Sequence, residues 1–251
     1  AIDQDGWSVT FCDDGCRGTG KLIGRDTQLE LKKTARLSPT LGQKPPPGAV
    51  VLFDGSGFDH WMHDDGVPVT WRILKDGSME SVSKKWEGGK QWGGNLGGTI
   101  VTNRQFCDAR IHIEFRYDVD PGRSGQARGN SGILLRGLTE VQILNSYGLE
   151  GYWNECGALY KQAPPKVNAA APPLQWQTYD IDLALPKYDA ESGKKMANAR
   201  ISVRHNGHAI HTNTELSSDK KGPFAIALQD HGSAIQFRNI WIAEAEEDKS
   251  E

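Results

Sequence analysis

"ARIHIEFRYDV", residues 109–119, decides the fold. Ile111, Ile113, Phe115, Tyr117 and Val119 fall on one parity, and Arg110, His112, Glu114, Arg116 and Asp118 on the other. A period of two held over eleven residues is that of a strand, because successive side chains leave a pleated backbone on opposite faces. The pattern recurs on both sides. Upstream, "AVVLF" (49–53) runs into Asp54-Gly55, and "WRILKDGSMES" (71–81) holds Asp76-Gly77, a favoured two-residue hairpin turn. Downstream, "TYDIDLAL" (178–185) alternates in the same way. "ARISVRHNGHAIH" (199–211) sets Asn206-Gly207 between two β runs, and "PFAIALQDHG" and "IQFRNIWIAE" close the series. No convincing amphipathic helix and no fixed-period repeat appears. The reading is an all-β chain folded as a two-sheet antiparallel sandwich or jelly roll. Long loops at 84–98 and 147–175 interrupt it, and loops of that length in a compact domain are often functional.

Residues 1–48 differ from the rest. "GWSVTF" reads as a strand, "DTQLELKKTARL" as a strand or short helix, and "SPTLGQKPPPG" as a stiff extended linker, since three consecutive prolines cannot join a ladder. The expected organisation is an N-terminal extension over 1–48 packed on the main domain, a jelly-roll domain over 49–244 and a charged tail over 245–251.

The net charge is −3 and no basic stripe is present, which speaks against a nucleic-acid partner. No apolar run approaches the roughly 20 residues of a membrane helix. The chain begins at Ala1 rather than Met, which is what removal of a leader would leave. Four cysteines, Cys12, Cys16, Cys107 and Cys156, suit an oxidising compartment, and Cys12 and Cys16 are close enough for a local disulfide. Eight tryptophans serve either as core or as flat platforms for sugars.

Several motifs fail on inspection. "GCRGTGKL" (15–22) has the glycine and lysine frame of a phosphate-binding loop, but Leu22 stands where a hydroxyl should meet magnesium. His205, His208 and His211 look like a metal cluster, yet Asn206-Gly207 makes them the exposed polar tip of a hairpin. No G-x-S-x-G elbow occurs. No strand carries the two glutamates four apart, with an Asp between, of a retaining β-sandwich glucanase.

The stretch that does carry chemistry is "GNSGILLRGLTEVQILNSYG" (129–148). It reads as two short strands, and Glu140 and Gln142 share one face of the second, where packing would favour Val or Thr. Such a pair belongs either to a solvated outer face or to a site.

"LFDG…W", "NSGILLRG", "EVQILNS", "GALY" and "LQDHG…FRNIWI", in that order, resemble the 3-keto-disaccharide hydrolase family, formerly a domain of unknown function. The resemblance runs from about Val50 to Ala243 and takes in Leu52 to Gly55, Trp61, Gly97 to Thr102, Glu114, Phe115 and Asn130 to Ile133. It departs at Asn145, where the family commonly has Asp. It implies a concanavalin-like jelly roll, a secreted, periplasmic or lipid-anchored location, and action on glycosides whose C3 hydroxyl is oxidised to a ketone. Such a sugar can be cleaved by abstraction of the C2 proton, elimination at C1 and hydration. That chemistry needs a base near its working pKa and an enolate stabiliser, either hydrogen-bond donors or a divalent metal. Glu140 is the candidate base and His231, after a strand end, the candidate base, acid or ligand; a metal would be held by these two. Gln142, Arg136, Asn130, Tyr160, Glu155, Trp86 and Trp92 are the candidate sugar-binding residues. Two other functions fit the same fold: a carbohydrate-binding module without turnover, and a hydrolase of an unoxidised glycan.

Overall fold

The computed structural model describes residues 36–81 and 98–245 in full, and the backbone of short strands at 8–13, 18–23, 28–32, 85–87 and 90–92. The chain divides into two compact units, Ala1–Arg36 and Leu37–Glu251. In the first, Ser8–Asp13, Gly18–Ile23 and Gln28–Lys32 form a three-stranded antiparallel sheet in sequence order. The Cys12–Cys16 disulfide expectation lies outside the described residues.

The second unit is a jelly-roll sandwich with no α-helix among the described residues. The larger sheet has eight strands. Its spine runs His208–Glu215, Arg200–His205, Gln177–Ala184, Ala109–Tyr117 and Ile235–Glu244, and short strands continue it. The smaller sheet has five, in the order Thr139–Ile143, Ser131–Leu135, Ile226–Leu228, Ile100–Thr102 and Trp61–His63. Neighbouring strands in both are antiparallel. Ile111, Ile113, Phe115 and Tyr117 point into the core against Ile133, Val141, Ile143, Ile226 and Leu228, all at 1% exposure or less. Burying each such side chain contributes about 1.5–3 kcal/mol, which is what fixes the register of the central strand.

The other face of that strand is not open to solvent. His112 and Glu114 are fully buried there. The cover is the segment 38–43, which the sequence suggested was a stiff linker and which instead turns and lies across the sheet as a strap. Ser38 Oγ meets Thr178 Oγ1 at 2.6 Å, Thr40 Oγ1 donates to Asp180 Oδ2 at 2.7 Å, and the Gly42 N–H donates to Glu114 Oε1 at 2.5 Å. Asn239 Nδ2 and Trp241 Nε1 both donate to the Gln43 carbonyl. Segment 38–43 thereby belongs with the sandwich, in the compact unit Leu37–Glu251.

Beneath the strap, Arg238 Nε (2.7 Å) and Asn239 Nδ2 (2.9 Å) donate to Glu114, and His112 Nδ1 lies 2.6 Å from Asp180. Burial alone would raise the Glu114 pKa, but the hydrogen bonds from His112, Asn239, Gly42 and Arg238 outweigh it and hold it at about 2. Asn239 reaches Glu114 because a register shift between His112 and Glu114 turns its backbone left-handed, with φ 45°.

The Asn206-Gly207 hairpin forms as read, with φ of 49° and 80° and His205 opposite His208. The exposed polar tip does not. His205 shares inward parity with Ile201 and Val203, is fully buried, and packs 4.7 Å from the Tyr179 ring. Burial, helped by His208, pushes its pKa down to about 3. His211 is also buried and bonds to the Gly157 carbonyl, so only His208 stands at the tip.

Candidate active site

The site candidate lies on the outer face of the five-stranded sheet. In Thr139–Ile143, Val141 and Ile143 enter the core, so Glu140 and Gln142 must face away from it. The ladder pairs Gln142 with Gly132 and Glu140 with Leu134. On the other side of Ser131–Leu135, Leu134 pairs with Ala227, and the Gln229 N–H donates to the Gly132 carbonyl. Two rows therefore cross the face. One reads Gln142, Gly132, Gln229; the next reads Glu140, Leu134, Ala227.

Glycine at 132 leaves the space that its neighbour occupies. A Cβ there would sit 2.1 Å from Glu140 Oε1 and 2.8 Å from its Cδ, so the Glu140 carboxyl lies directly over the glycine, between Gln142 and Gln229. That half-buried position pushes the Glu140 pKa up to about 7, with burial as the cause. The Gln142 amide is satisfied when its NH2 faces the Ser131 carbonyl (2.9 Å) and Glu140 Oε1 (3.0 Å); the reverse orientation would set its oxygen against two acceptors. Gln229 Oε1 is buried without a hydrogen-bond partner, an acceptor that a bound donor would satisfy.

The remaining candidates divide. Asn130 is buried beside the Gln142 amide, and its Nδ2 is bonded to the Gln126 carbonyl. Tyr160 is a direct neighbour of Glu140: its N–H donates to the Glu140 carbonyl and Leu159 bridges to Val141, so 158–160 runs antiparallel to 140–142 with Tyr160 opposite Glu140 on the same face. Glu155 is committed to structure, accepting from Arg128 Nη2 with both oxygens at 3.0 Å and from Ser146 Oγ. Arg136 is bound by Asp64, each Asp64 oxygen 2.5 Å from Nη2. His231 is exposed, two residues beyond Gln229, in a turn shaped by Asp230, whose carboxylate takes the N–H groups of Gly98 and Gly232. The side chains of Trp86 and Trp92 lie outside the described residues. Asn145, the position that departs from the family pattern, is half-buried, and its N–H donates to the Arg128 carbonyl.

The donors near Glu140 do not suit a metal. They are amides and a hydroxyl, and among the described residues no three His, Cys, Asp or Glu side chains converge. Cys107 is exposed and Cys156 buried, and both are free thiols.

Sequence reasoning missed Gly132 and the orphan oxygen of Gln229. "NSGI" showed a glycine mid-strand, the usual mark of a close approach, but not what approaches. A cavity of about 520 Å³ on the larger sheet is lined by Arg110, Asp182 and Arg200 among others. Arg110 is paired with Asp182 and Arg200 with Glu215, so the cavity presents no unsatisfied group of the kind found at Gln229.

The 3-keto-alpha-glucoside-1,2-lyase-like domain matches residues 48–243. A provisionally named glycosyl hydrolase of Parabacteroides distasonis is 34% identical, with a TM-score of 0.69 over 80% of this chain and 85% of that one. Two further proteins of the same description and organism share the fold at 17% and 19% identity, with TM-scores of 0.56 and 0.53; they cover 79% and 78% of this chain, and 94% and 99% of their own. No curated protein matches the chain.

Proposed function

The chain belongs to the 3-keto-alpha-glucoside-1,2-lyase-like family, a glycosyl-hydrolase-like group, and we propose that it cleaves 3-keto-glycosides by elimination and hydration. The observation that carries this is the Glu140 carboxyl, held over Gly132 with its pKa raised to about 7 on a polar face. A base of that strength is matched to a C2 proton acidified by the neighbouring ketone.

In this reading Glu140 removes the C2 proton, and the electron pair passes to the ketone oxygen as an enolate. When the enolate collapses back to the ketone, the C1–O bond breaks and a C1=C2 double bond forms. The proton now on Glu140 is the nearest one for the departing oxygen. Water then adds at C1 and a proton returns to C2, which completes a net hydrolysis. Once Glu140 has taken the proton, the Gln142 N–H that faced its carboxylate can turn to an oxyanion beside it. Gln229 Oε1 would accept from a sugar hydroxyl on the other side of Gly132. The Ser131 carbonyl holds the Gln142 amide in place. No step needs a metal.

The test is to incubate the protein with a methyl 3-keto-glucoside and with its unoxidised parent, with and without chelator, and to follow the leaving group. Release from the keto sugar alone, unaffected by chelator, supports the proposal. Release from the parent makes the protein an ordinary glycosidase. Saturable binding without release makes it a carbohydrate-binding module.

A further inference from the structure

We propose that Asp64 and Arg136 form the specificity-determining end of the site, an acceptor and a donor that together bind the C6 hydroxyl of the keto sugar while Glu140 works at C2. The inference rests on the reading of Glu140 given above. The row that reads Gln142, Gly132, Gln229 continues across the sheet. Gln229 lies opposite Thr99, next to the Ile100–Leu228 pair, and the Asp64 N–H donates to the Thr99 carbonyl at 3.3 Å. Asp64 therefore stands in the row of Gly132, three strands away. Arg136 is four residues along its own strand from Gly132, and its N–H donates to the Ala225 carbonyl. Both face outward: Arg136 shares the parity of Gly132 and Leu134, and Asp64 that of Met62, whose neighbours Trp61 and His63 are buried.

Their meeting is what needs explaining. On a flat sheet the two backbones would lie about 14 Å apart across the strands and about 13 Å along them. Twist draws one diagonal of a sheet together on one face, and the side chains close the rest of the gap, with each Asp64 oxygen 2.5 Å from Arg136 Nη2. That diagonal passes between Ala227 and Val101. Ala227 faces outward, since Ile226 and Leu228 on either side of it enter the core, and yet it is fully buried, which fits side chains crossing above it. The fold gains little from such a bridge. An exposed ion pair contributes about 0–1 kcal/mol, and this one reaches between strands that are not neighbours. Both side chains remain open to solvent, at 40% for Arg136 and 50% for Asp64. The contact uses Nη2 alone, so Nε and Nη1 of Arg136 have no acceptor among the described residues and are free to donate to a ligand.

Position and chemistry select what the pair binds. The Glu140 carboxyl lies over Gly132. From there to the middle of the bridge is a strand and a half across and one row along, about 10 Å. With a hydrogen bond of about 3 Å at each end, that gap holds one six-membered ring. In a pyranose whose C2 faces Glu140, the ring atom on the opposite side is C5, and in a hexose C5 carries the C6 hydroxymethyl. A hydroxyl both donates and accepts, whereas ionised Asp64 only accepts and Arg136 only donates, so the two groups match one hydroxyl between them. The arginine end is braced for this. The Gly137 carbonyl accepts from Ser218 Oγ at 2.6 Å and the Leu138 carbonyl from Gln162 Nε2 at 3.0 Å, which lowers the ordering cost of binding.

The experiment compares kcat/KM for a methyl 3-keto-glucoside and for its 6-deoxy and 4-deoxy analogues in wild type, Asp64→Ala, Asp64→Asn and Arg136→Ala, with thermal midpoints as a folding control. Wild type should prefer the parent over the 6-deoxy analogue by about tenfold to hundredfold, the range of a hydrogen bond to a charged group. Both alanine variants should lose most of that preference, and Asp64→Asn, which keeps an acceptor, should retain part of it. An active wild type that does not distinguish the parent from the 6-deoxy analogue, or variants that keep the wild-type preference, overturn the assignment and leave Glu140 standing. Variants that lose a preference over the 4-deoxy analogue instead place the pair at C4 and also overturn it. A protein that releases the leaving group from none of the three overturns the reading of Glu140 and the role of the pair with it.

Discussion

Replacing Gly132 by alanine separates stability from activity with a single methyl group. No positive φ is involved at Gly132, so alanine fits the strand backbone, and a strand-interior Gly→Ala change at a compatible position is worth about 0.4–1 kcal/mol of added stability. The new Cβ would sit 2.1 Å from Glu140 Oε1, whereas ordinary contact begins at 3.4 Å, so the carboxyl must retreat by the difference, 1.3 Å. Retreat is cheap for the fold, because the obstructing atoms, Oε1, Cδ and Cγ of Glu140, belong to one flexible side chain rather than to backbone. It is costly for the reaction, because a misplacement of about 1 Å in a reacting group costs roughly 100-fold. Gly132→Ala should therefore unfold in urea at the wild-type midpoint or above it and release the leaving group from a keto-glucoside about 100-fold more slowly. Full activity in this variant would refute the placement of Glu140. A stability loss above about 2 kcal/mol, the range of an overpacked core, would refute the claim that only the carboxyl is in the way.

Glu140 itself titrates near neutrality, so the release rate of the wild type should rise with pH through about 7 as the carboxylate forms, and Glu140→Gln should lose about 100- to 10,000-fold. The stability sign is opposite. A carboxyl whose folded pKa is raised from 4.5 to about 7 contributes stability below pH 4.5 that is lost as pH rises through 7. Discounted for partial solvation, Glu140→Gln should be more stable than wild type by about 1–2 kcal/mol at pH 8 and equal to it near pH 4, read from urea midpoints. Glu114→Ala strips His112, Asn239, Gly42 and Arg238 of their common acceptor and should cost about 3–5 kcal/mol. Its turnover per folded molecule should not change. His205 is held neutral by burial, so its contribution is present above pH 6.5 and is lost as pH falls toward about 3; His205→Phe should flatten the acid limb of the stability profile.

The two-residue period of 109–119 implied the sheet, and the Asn206-Gly207 and Asp76-Gly77 turns implied the hairpins, because each of these signals is local. Glu140 and Gln142 were legible for the same reason: parity alone places them together. What escaped was every feature set by distant segments meeting. Ser38–Gln43 looked like part of a linker because three prolines follow it and because the hydrogen bonds that Thr178, Asp180, Glu114 and Asn239 make with it come from 72 to 196 positions away. His205 looked exposed because the tip of a hairpin is polar in sequence even where a second sheet covers its inner side. Trp86 and Trp92 drew the eye as platforms, and their side chains lie outside the described residues; Tyr160 was read only as the border of a loop, and it is the edge pairing of 158–160 that sets it opposite Glu140.

The strap has a consequence for inheritance. The family match begins at residue 48, five residues after the last strap contact, yet His112, Glu114, Asp180 and Asn239 lie within it and are arranged for a cover that precedes it. A buried carboxylate with its acceptor sites filled by an outside segment is an asset only while that segment is present. Relatives that lack a Ser38–Gln43 equivalent are therefore expected to carry apolar or small residues at these positions, and to change them as a group. Chimaeras joined at residue 48 should fail unless the strap and the four side chains are exchanged together.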